Sequence, residues 1–130
     1  MATSLSYGKL LYAALNDSEA IKGRVTKIFP VVVDKAVCPY IAFARQRHER
    51  EMMKTGTGVA GADTVEVEID CFAAHYADAV ELAEAVVEQL DGLQYRQDDL
   101  YMRACSWTDA FEEFANDAYK IGLMFHLKVR

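Results

Sequence analysis

Three carboxylates alternate along one predicted strand and are the strongest candidates for chemistry in the chain. Glu66, Glu68 and Asp70 occupy every second position of residues 64–72, so they project from one face about 6–7 Å apart. Such a row could hold a divalent cation or form an acidic wall along a passage. If the last strand is the neighbour of this one, its bases pair with the carboxylates and the row is a solvated surface. Those bases are Lys120, His126, Lys128 and Arg130.

A basic segment is the second candidate, and its members are Arg45, Arg47, Arg50 and Lys54. Two glutamates alternate with these side chains, and no ladder of aromatic residues accompanies them, so the segment lacks the pattern of a single-stranded nucleic acid site. Two interpretations remain open. The segment is either solvated charge or a docking arm that becomes ordered when a partner binds.

The other motifs do not support a catalytic or cofactor site. GTGVAG at 56–61 matches the dinucleotide fingerprint, but that fingerprint needs a strand before it and a helix after it. Here a charged stretch precedes it and a predicted strand follows. Cys71 and His75 are four residues apart without a second close pair, whereas zinc sites show paired short spacings. No serine lies in a G-x-S-x-G elbow. We therefore predict no enzyme activity, no cofactor and no metal.

Hydrophobic periodicity predicts the elements that would position these residues. Apolar residues at helical spacing predict helices at 3–15 and 76–91. Alternating or β-branched runs predict strands at 25–33, 38–45, 64–72, 100–107 and 119–130. The charged and then glycine-rich stretch at about 46–63 is predicted to be an exposed arm, and the acidic, aromatic stretch 109–117 a loop or short turn.

This order predicts one α+β domain over residues 1–130. Neighbouring strand runs favour antiparallel pairing, so we expect two layers: one mostly antiparallel sheet of about five strands, with two helices packed on one face. Residue 71 points with the apolar residues of its strand toward the core, which predicts an inert thiol.

Charge and composition indicate which classes of partner the chain can bind. The net charge is −6, from 14 Lys and Arg against 20 Asp and Glu, which argues against a dedicated DNA or RNA binder. Residues 1–65 hold 9 basic and 6 acidic side chains and residues 66–130 hold 5 and 14. The split has no functional meaning, or the basic arm of one copy meets an acidic surface on the next.

No apolar run is long enough to cross a bilayer, no secretory signal is predicted, and the three cysteines are predicted to be reduced, inside a cell.

The order and spacing of five segments resemble the small tail-completion, or tail-terminator, proteins of long-tailed bacteriophages and prophages, which are also called tail-to-head joining proteins. Each segment is weakly specific alone, and together they span nearly the whole chain. They are LLYAAL at 10–15, CPYIAF at 38–43, VEVEIDCF at 65–72, AVELAEAVVEQLDG at 79–92 and YKIGLMF at 119–125.

The resemblance implies a structural role without catalysis. Such a protein forms a ring, commonly hexameric, on the last ring of the tail tube, ends tube polymerisation and offers a surface to the head connector. DNA passes the lumen without being read. Assembly in the bacterial cytoplasm would place the chain in the virion tail. The other function class left open is a small ligand-binding or catalytic α+β domain that uses the acidic strand face.

Overall fold

The computed structural model describes residues 3–31, 33, 35–50, 62–115 and 117–130. A 3-10 turn, Ser4–Ser6, leads into the first helix. The helices are α1 (Tyr7–Asn16), α2 (Glu19–Lys22) and α3 (Tyr76–Leu90). The strands are β1 (Ile28–Pro30), β2 (Tyr40–Glu49), β3 (Asp63–Ala73), β4 (Tyr95–Gln97), β5 (Leu100–Ala115) and β6 (Ala118–Val129).

The strands form one mixed, six-stranded sheet in the order β1-β2-β3-β6-β5-β4. The pairs β2–β3, β3–β6, β6–β5 and β5–β4 are antiparallel, and only β1–β2 among the described pairs is parallel. The fold is therefore α+β with a mostly antiparallel sheet, as predicted, although it has a sixth strand.

A two-residue period in the central strands builds the core. On β3, Val65, Val67 and Ile69 are fully buried, and on β6 Phe125 and Leu127 are buried against the same layer. Helix α3 sets its apolar stripe on this face, and α1 packs beside α3. Tyr7 of α1 meets Phe43 of β2 edge to face at 6.2 Å between ring centroids. The prediction of two helices on one face of the sheet is confirmed. No described helix has both the length and the apolarity needed to cross a membrane.

Several predicted bounds were wrong on the second half of the sheet. Residues 109–115 are not a loop, because they continue β5 to Ala115. These residues are exposed on both faces and show no apolar period, but β6 supplies a partner for each. Phe114 packs on Tyr119 across the hairpin at 4.9 Å. Strand β4 was not predicted because it has only three residues, and β1 is shorter than the predicted strand.

The arm also begins later and ends earlier than predicted. β2 runs on to Glu49 and β3 begins at Asp63. The polar residues that extend β2 contact the 3-10 turn and the start of α1. Arg45 lies over the Tyr7 ring at 4.9 Å, and His48 Nε2 lies 2.9 Å from Ser4 Oγ. Ala62 is buried. Residues 51–61, with Lys54 and the glycine motif, lie outside the described residues.

Candidate functional site

The three predicted carboxylates lie together on the side of the sheet that carries no helix. The ladder places Glu66 opposite His126, Glu68 opposite Met124 and Asp70 opposite Gly122 of β6. We call this surface, formed by residues 64–72 of β3 and 120–128 of β6, the carboxylate face. The carboxylate side chains are only 17–25% exposed, so they are partly desolvated rather than fully wet. Their charges therefore interact more strongly than those of freely exposed groups.

Lys120 is the centre of this face. Its Nζ lies 3.7 Å from a carboxylate oxygen of each of Glu68, Asp70 and Glu113. The ammonium also lies 5.4 Å from the centroid of the Phe111 ring, which contributes a cation–π contact. One cation thus faces three carboxylates, and the cluster keeps a net negative charge when all of them are ionised.

Asp70 has the most perturbed carboxyl group of the face. Burial, and then its neighbour Glu68, raise the pKa of Asp70 to about 7, although Lys120 acts in the opposite direction. Asp70 Oδ1 is buried and has no hydrogen-bond partner among the described residues. A proton held on Asp70 removes one of the two adjacent negative charges. The carboxylate face is therefore partly neutralised around pH 7.

A bulge in β2 brings a second cation to the same face. The β2–β3 register shifts between Arg45 and Arg47, and such a bulge re-aims the side chains that follow it. Arg47 Nε consequently lies 3.9 Å from Glu66 Oε2, whereas Arg45 stays on the helix side against Tyr7. His126 Nε2 contacts the other oxygen of Glu66 at 2.8 Å.

Only two of the four basic side chains predicted on the last strand contact the three carboxylates. Lys120 and His126 contact them, as one interpretation of the sequence required. Lys128 Nζ instead donates a hydrogen bond to Thr64 Oγ1. The Arg130 guanidinium lies over the Tyr101 ring at 5.5 Å. At one end of the strand pair, Glu66 therefore has basic partners in Arg47 and His126. At the other end, Glu68 and Asp70 have only Lys120, so negative charge is in excess there.

Phe111 is a site residue that the sequence did not predict. Its ring packs directly over Gly122, where a Cβ would stand 2.2 Å from a ring atom. A glycine in a strand interior often marks close approach of another group, and Gly122 was that signal. The pairing was missed because 109–117 was predicted to be a loop. The centroid of the same ring lies 5.4 Å from the Lys120 ammonium.

The four predicted basic residues do not form one cluster. Arg45 and Arg47 belong to β2 and point to opposite faces of the sheet. Arg50 follows the strand and is exposed. Lys54 lies outside the described residues.

Two of the three cysteines are buried, and the metal-binding residue types form no metal site among the described residues. No group of three or more His, Cys, Asp or Glu side chains in these ranges is arranged to hold a metal ion. Cys71 is fully buried in the core, as predicted, and burial raises the pKa of its thiol strongly. Burial also raises the pKa of Cys105 to about 12. A thiol that holds its proton is a poor nucleophile, so Cys71 and Cys105 are poor candidates for nucleophilic chemistry.

Comparisons with known proteins agree on the fold. The model of the family described as tail completion protein gp17 matches residues 9–130. Among solved structures, the chain is similar to one from the virion of a native gene transfer agent particle. The TM-score is 0.76 at 19% sequence identity, and the match covers 93% of this chain and 92% of that one. No curated protein matches the chain.

Proposed function

We propose, since the chain belongs to the family of the tail completion protein gp17, that it forms a ring that caps a phage tail tube, ends its polymerisation and joins the tail to the head connector. The family match over nearly the whole chain is the observation that carries this proposal. We propose further that the ring is a hexamer, that residues 1–130 act as one domain, and that the chain assembles in the bacterial cytoplasm and resides in the virion tail.

The carboxylate face suits the wall of a passage for DNA. Glu68 and Asp70 share the single ammonium of Lys120 with Glu113, so the cluster stays net negative even when Asp70 holds a proton. Phosphate is repelled by carboxylate, and a wall of this kind lets DNA pass without binding it. We propose that Glu66, Glu68 and Asp70 line the lumen. DNA is then a passing cargo and not a ligand.

The basic residues suit contacts with other protein subunits. Arg47 is 69% exposed even though it touches Glu66, and Arg50 is exposed beyond the end of β2. We propose that Arg45, Arg47, Arg50 and Lys54, together with the arm that follows them, contact a neighbouring copy or the tube protein. Such a contact would bring the net basic residues of the first half of the sequence against the net acidic second half of a neighbouring copy.

The test is tube growth in the presence of this protein. The cognate tail-tube protein is polymerised with and without the chain, and tube lengths are measured by negative-stain electron microscopy. We expect short tubes that stop growing when further tube protein is added, with a ring visible at one end. An unrelated acidic protein at the same concentration is the control and should leave the lengths unchanged.

Unchanged tube length would reject capping. If the chain were also a compact monomer that bound a small molecule at Glu66, Glu68 and Asp70, the result would support the alternative of a ligand-binding or catalytic domain. In the structure these carboxylates are already engaged by Lys120, His126 and Arg47.

A further inference from the structure

We propose that copies of this chain join head to tail by β-strand pairing, with the outer edge of β5 on one copy against the outer edge of β2 on the next. This inference rests on the proposed ring and names the interface that builds it. Exposed strand edges are templates for pairing with another chain, and the described sheet has two of them on opposite sides.

The first edge lies along the second half of β5. β4 pairs with β5 only at 100–102. Just beyond, the Gly92 N–H donates to Cys105 O and the Trp107 N–H donates to Asp91 Oδ1. Over 108–115, β6 lies on one side of β5, and no described strand lies on the other. No described strand therefore uses the outward backbone groups of this stretch, although the Ala110 N–H already donates to the Asp109 carboxylate.

The direction of the β5 backbone groups can be followed past its bulge. The Trp107 N–H points away from β6, toward Asp91. The Ala110 N–H donates to the carboxylate of Asp109 and so also points away from β6. Residues 107 and 110 are three apart, and not two or four, because the register shifts between residues 107 and 109. Because N–H groups alternate along a strand, Glu112 also directs its N–H to the free edge.

The second edge lies along the second half of β2. β1 pairs with residues 41–43 of β2, and among the described residues the Val31 N–H to Phe43 O bond is the last backbone hydrogen bond on that side. Over 44–49, β3 lies on one side and the described residues supply no strand on the other. Within the described ranges, the two edges therefore have comparable lengths of backbone that no strand pairs.

Strand directions make these two edges compatible. The order β2-β3-β6-β5 is antiparallel at every step, so β2 and β5 run in opposite directions within one copy. In a ring whose axis runs roughly along the strands, neighbouring copies have the same orientation. β5 of one copy therefore meets β2 of the next in an antiparallel pair. Two different surfaces that meet head to tail close into a ring by rotation.

The chemistry of the two edges is complementary. The β5 edge is acidic through Asp109 and Glu112, and the β2 edge is basic through Arg45, Arg47 and Arg50. Both edges also expose apolar side chains that a partner would cover. These are Trp107 (45% exposed), Phe111 (38%) and Phe114 (58%) on the β5 side, and Leu5 (65%) and Val31 (70%) on the β2 side. A second copy supplies both the opposite charge and the apolar cover.

Charge reversal with mixing tests the pairing of different edges. Asp109→Lys/Glu112→Lys makes the β5 edge basic, and Arg47→Glu/Arg50→Glu makes the β2 edge acidic. Analytical ultracentrifugation should show the wild type assembled, and each variant alone should need at least about tenfold more protein to assemble. An equimolar mixture should restore assembly, in rings that alternate the two variants, because every interface then joins opposite charges. Restoration also shows that both variants are folded.

A second pair of variants tests backbone pairing itself. Glu112→Pro removes the outward N–H without taking a hydrogen bond from β6, and Glu112→Ala removes the same carboxylate but keeps the N–H. We expect Glu112→Ala to assemble and Glu112→Pro to remain monomeric, with unfolding temperatures close to each other at a concentration too low for either to assemble.

Four results would overturn the proposal: wild-type protein that stays monomeric, a reversed variant that assembles alone as the wild type does, a mixture that stays monomeric, or Glu112→Pro that assembles like Glu112→Ala. Tube growth separates this inference from the proposed function. If the protein stops tube growth but never self-associates in solution, the proposal of capping stands and the proposal of the edge interface is rejected. If the protein pairs by these edges but does not stop tube growth, the proposal of the edge interface stands and the proposal of capping is rejected.

Discussion

Val67→Asp is expected to unfold the chain at room temperature. Val67 is fully buried at the centre of the sheet, where β3 pairs it with Arg45 on β2 and Phe125 on β6. The opposite Arg45 guanidinium lies over the Tyr7 ring at 4.9 Å, so a carboxylate in the apolar layer must either stay charged there or take up a proton. Either outcome costs at least about 4 kcal/mol, which is comparable to the whole stability of a domain at the lower end of the usual range of about 5–15 kcal/mol. Leu123→Asp should behave in the same way.

Circular dichroism and thermal denaturation measure this effect. The control is Ser106→Asp, which adds the same group at an exposed strand position of the same sheet and should change stability by less than about 0.5 kcal/mol. A cooperative melt of Val67→Asp close to the wild-type temperature would show that β3 does not form the core we describe.

Lys120→Met is expected to be the most destabilising substitution on the surface of the sheet. The change keeps the length of the side chain but leaves Glu68 and Asp70, which are 21% and 17% exposed, without the ammonium that lies between them. Removal of one partner from a partly buried ion cluster costs more than the cluster itself contributes. We expect a loss of about 2–3 kcal/mol at pH 8.

The loss should depend on pH in a defined direction. The folded pKa of Asp70 is about 7, above its ordinary value of 3.8. Its protonated form therefore stabilises the fold fully below about pH 4, and this contribution is lost as pH rises toward 7. Without Lys120 the pKa of Asp70 rises further, so Lys120→Met should be nearly tolerated at pH 5 and most harmful at pH 8.

Urea denaturation at pH 5 and pH 8 measures this dependence, and Lys120→Met/Asp70→Asn is the matched control. The second substitution removes one of the unpaired charges and should recover most of the stability at pH 8. A loss that is equal at both pH values would mean that packing, and not charge, is what Lys120 provides.

The elements with one buried face could be predicted from the sequence. β3 from residue 65 and β6 from residue 119 carry an apolar residue at every second position, and α3 carries an apolar stripe, so each period indicates the side that is buried. The row of Glu66, Glu68 and Asp70 followed from the same alternation. Its contact with Lys120 and His126 was one of the interpretations left open, because the sequence alone did not fix which strand lies beside β3.

The remaining features depend on partners that are distant in the chain. Residues 109–115 form a strand only because β6 pairs with them, and their own pattern is that of a polar segment. β2 extends past Arg45 because Tyr7 and Ser4 of the first turn and helix satisfy its polar side chains. The bulge that turns Arg47 to the carboxylate face has no sequence signature of its own. Tertiary contacts override local preference at these positions.

Electron microscopy of particles assembled without this chain tests the central claim, which is that the protein ends the tail tube and joins it to the head. We predict tails of irregular and excessive length together with separate, filled heads, and restoration of joined particles of uniform length when the wild-type chain is supplied. Val67→Asp supplied in its place should not restore them. Particles of normal length with attached heads in the absence of the chain would contradict the claim.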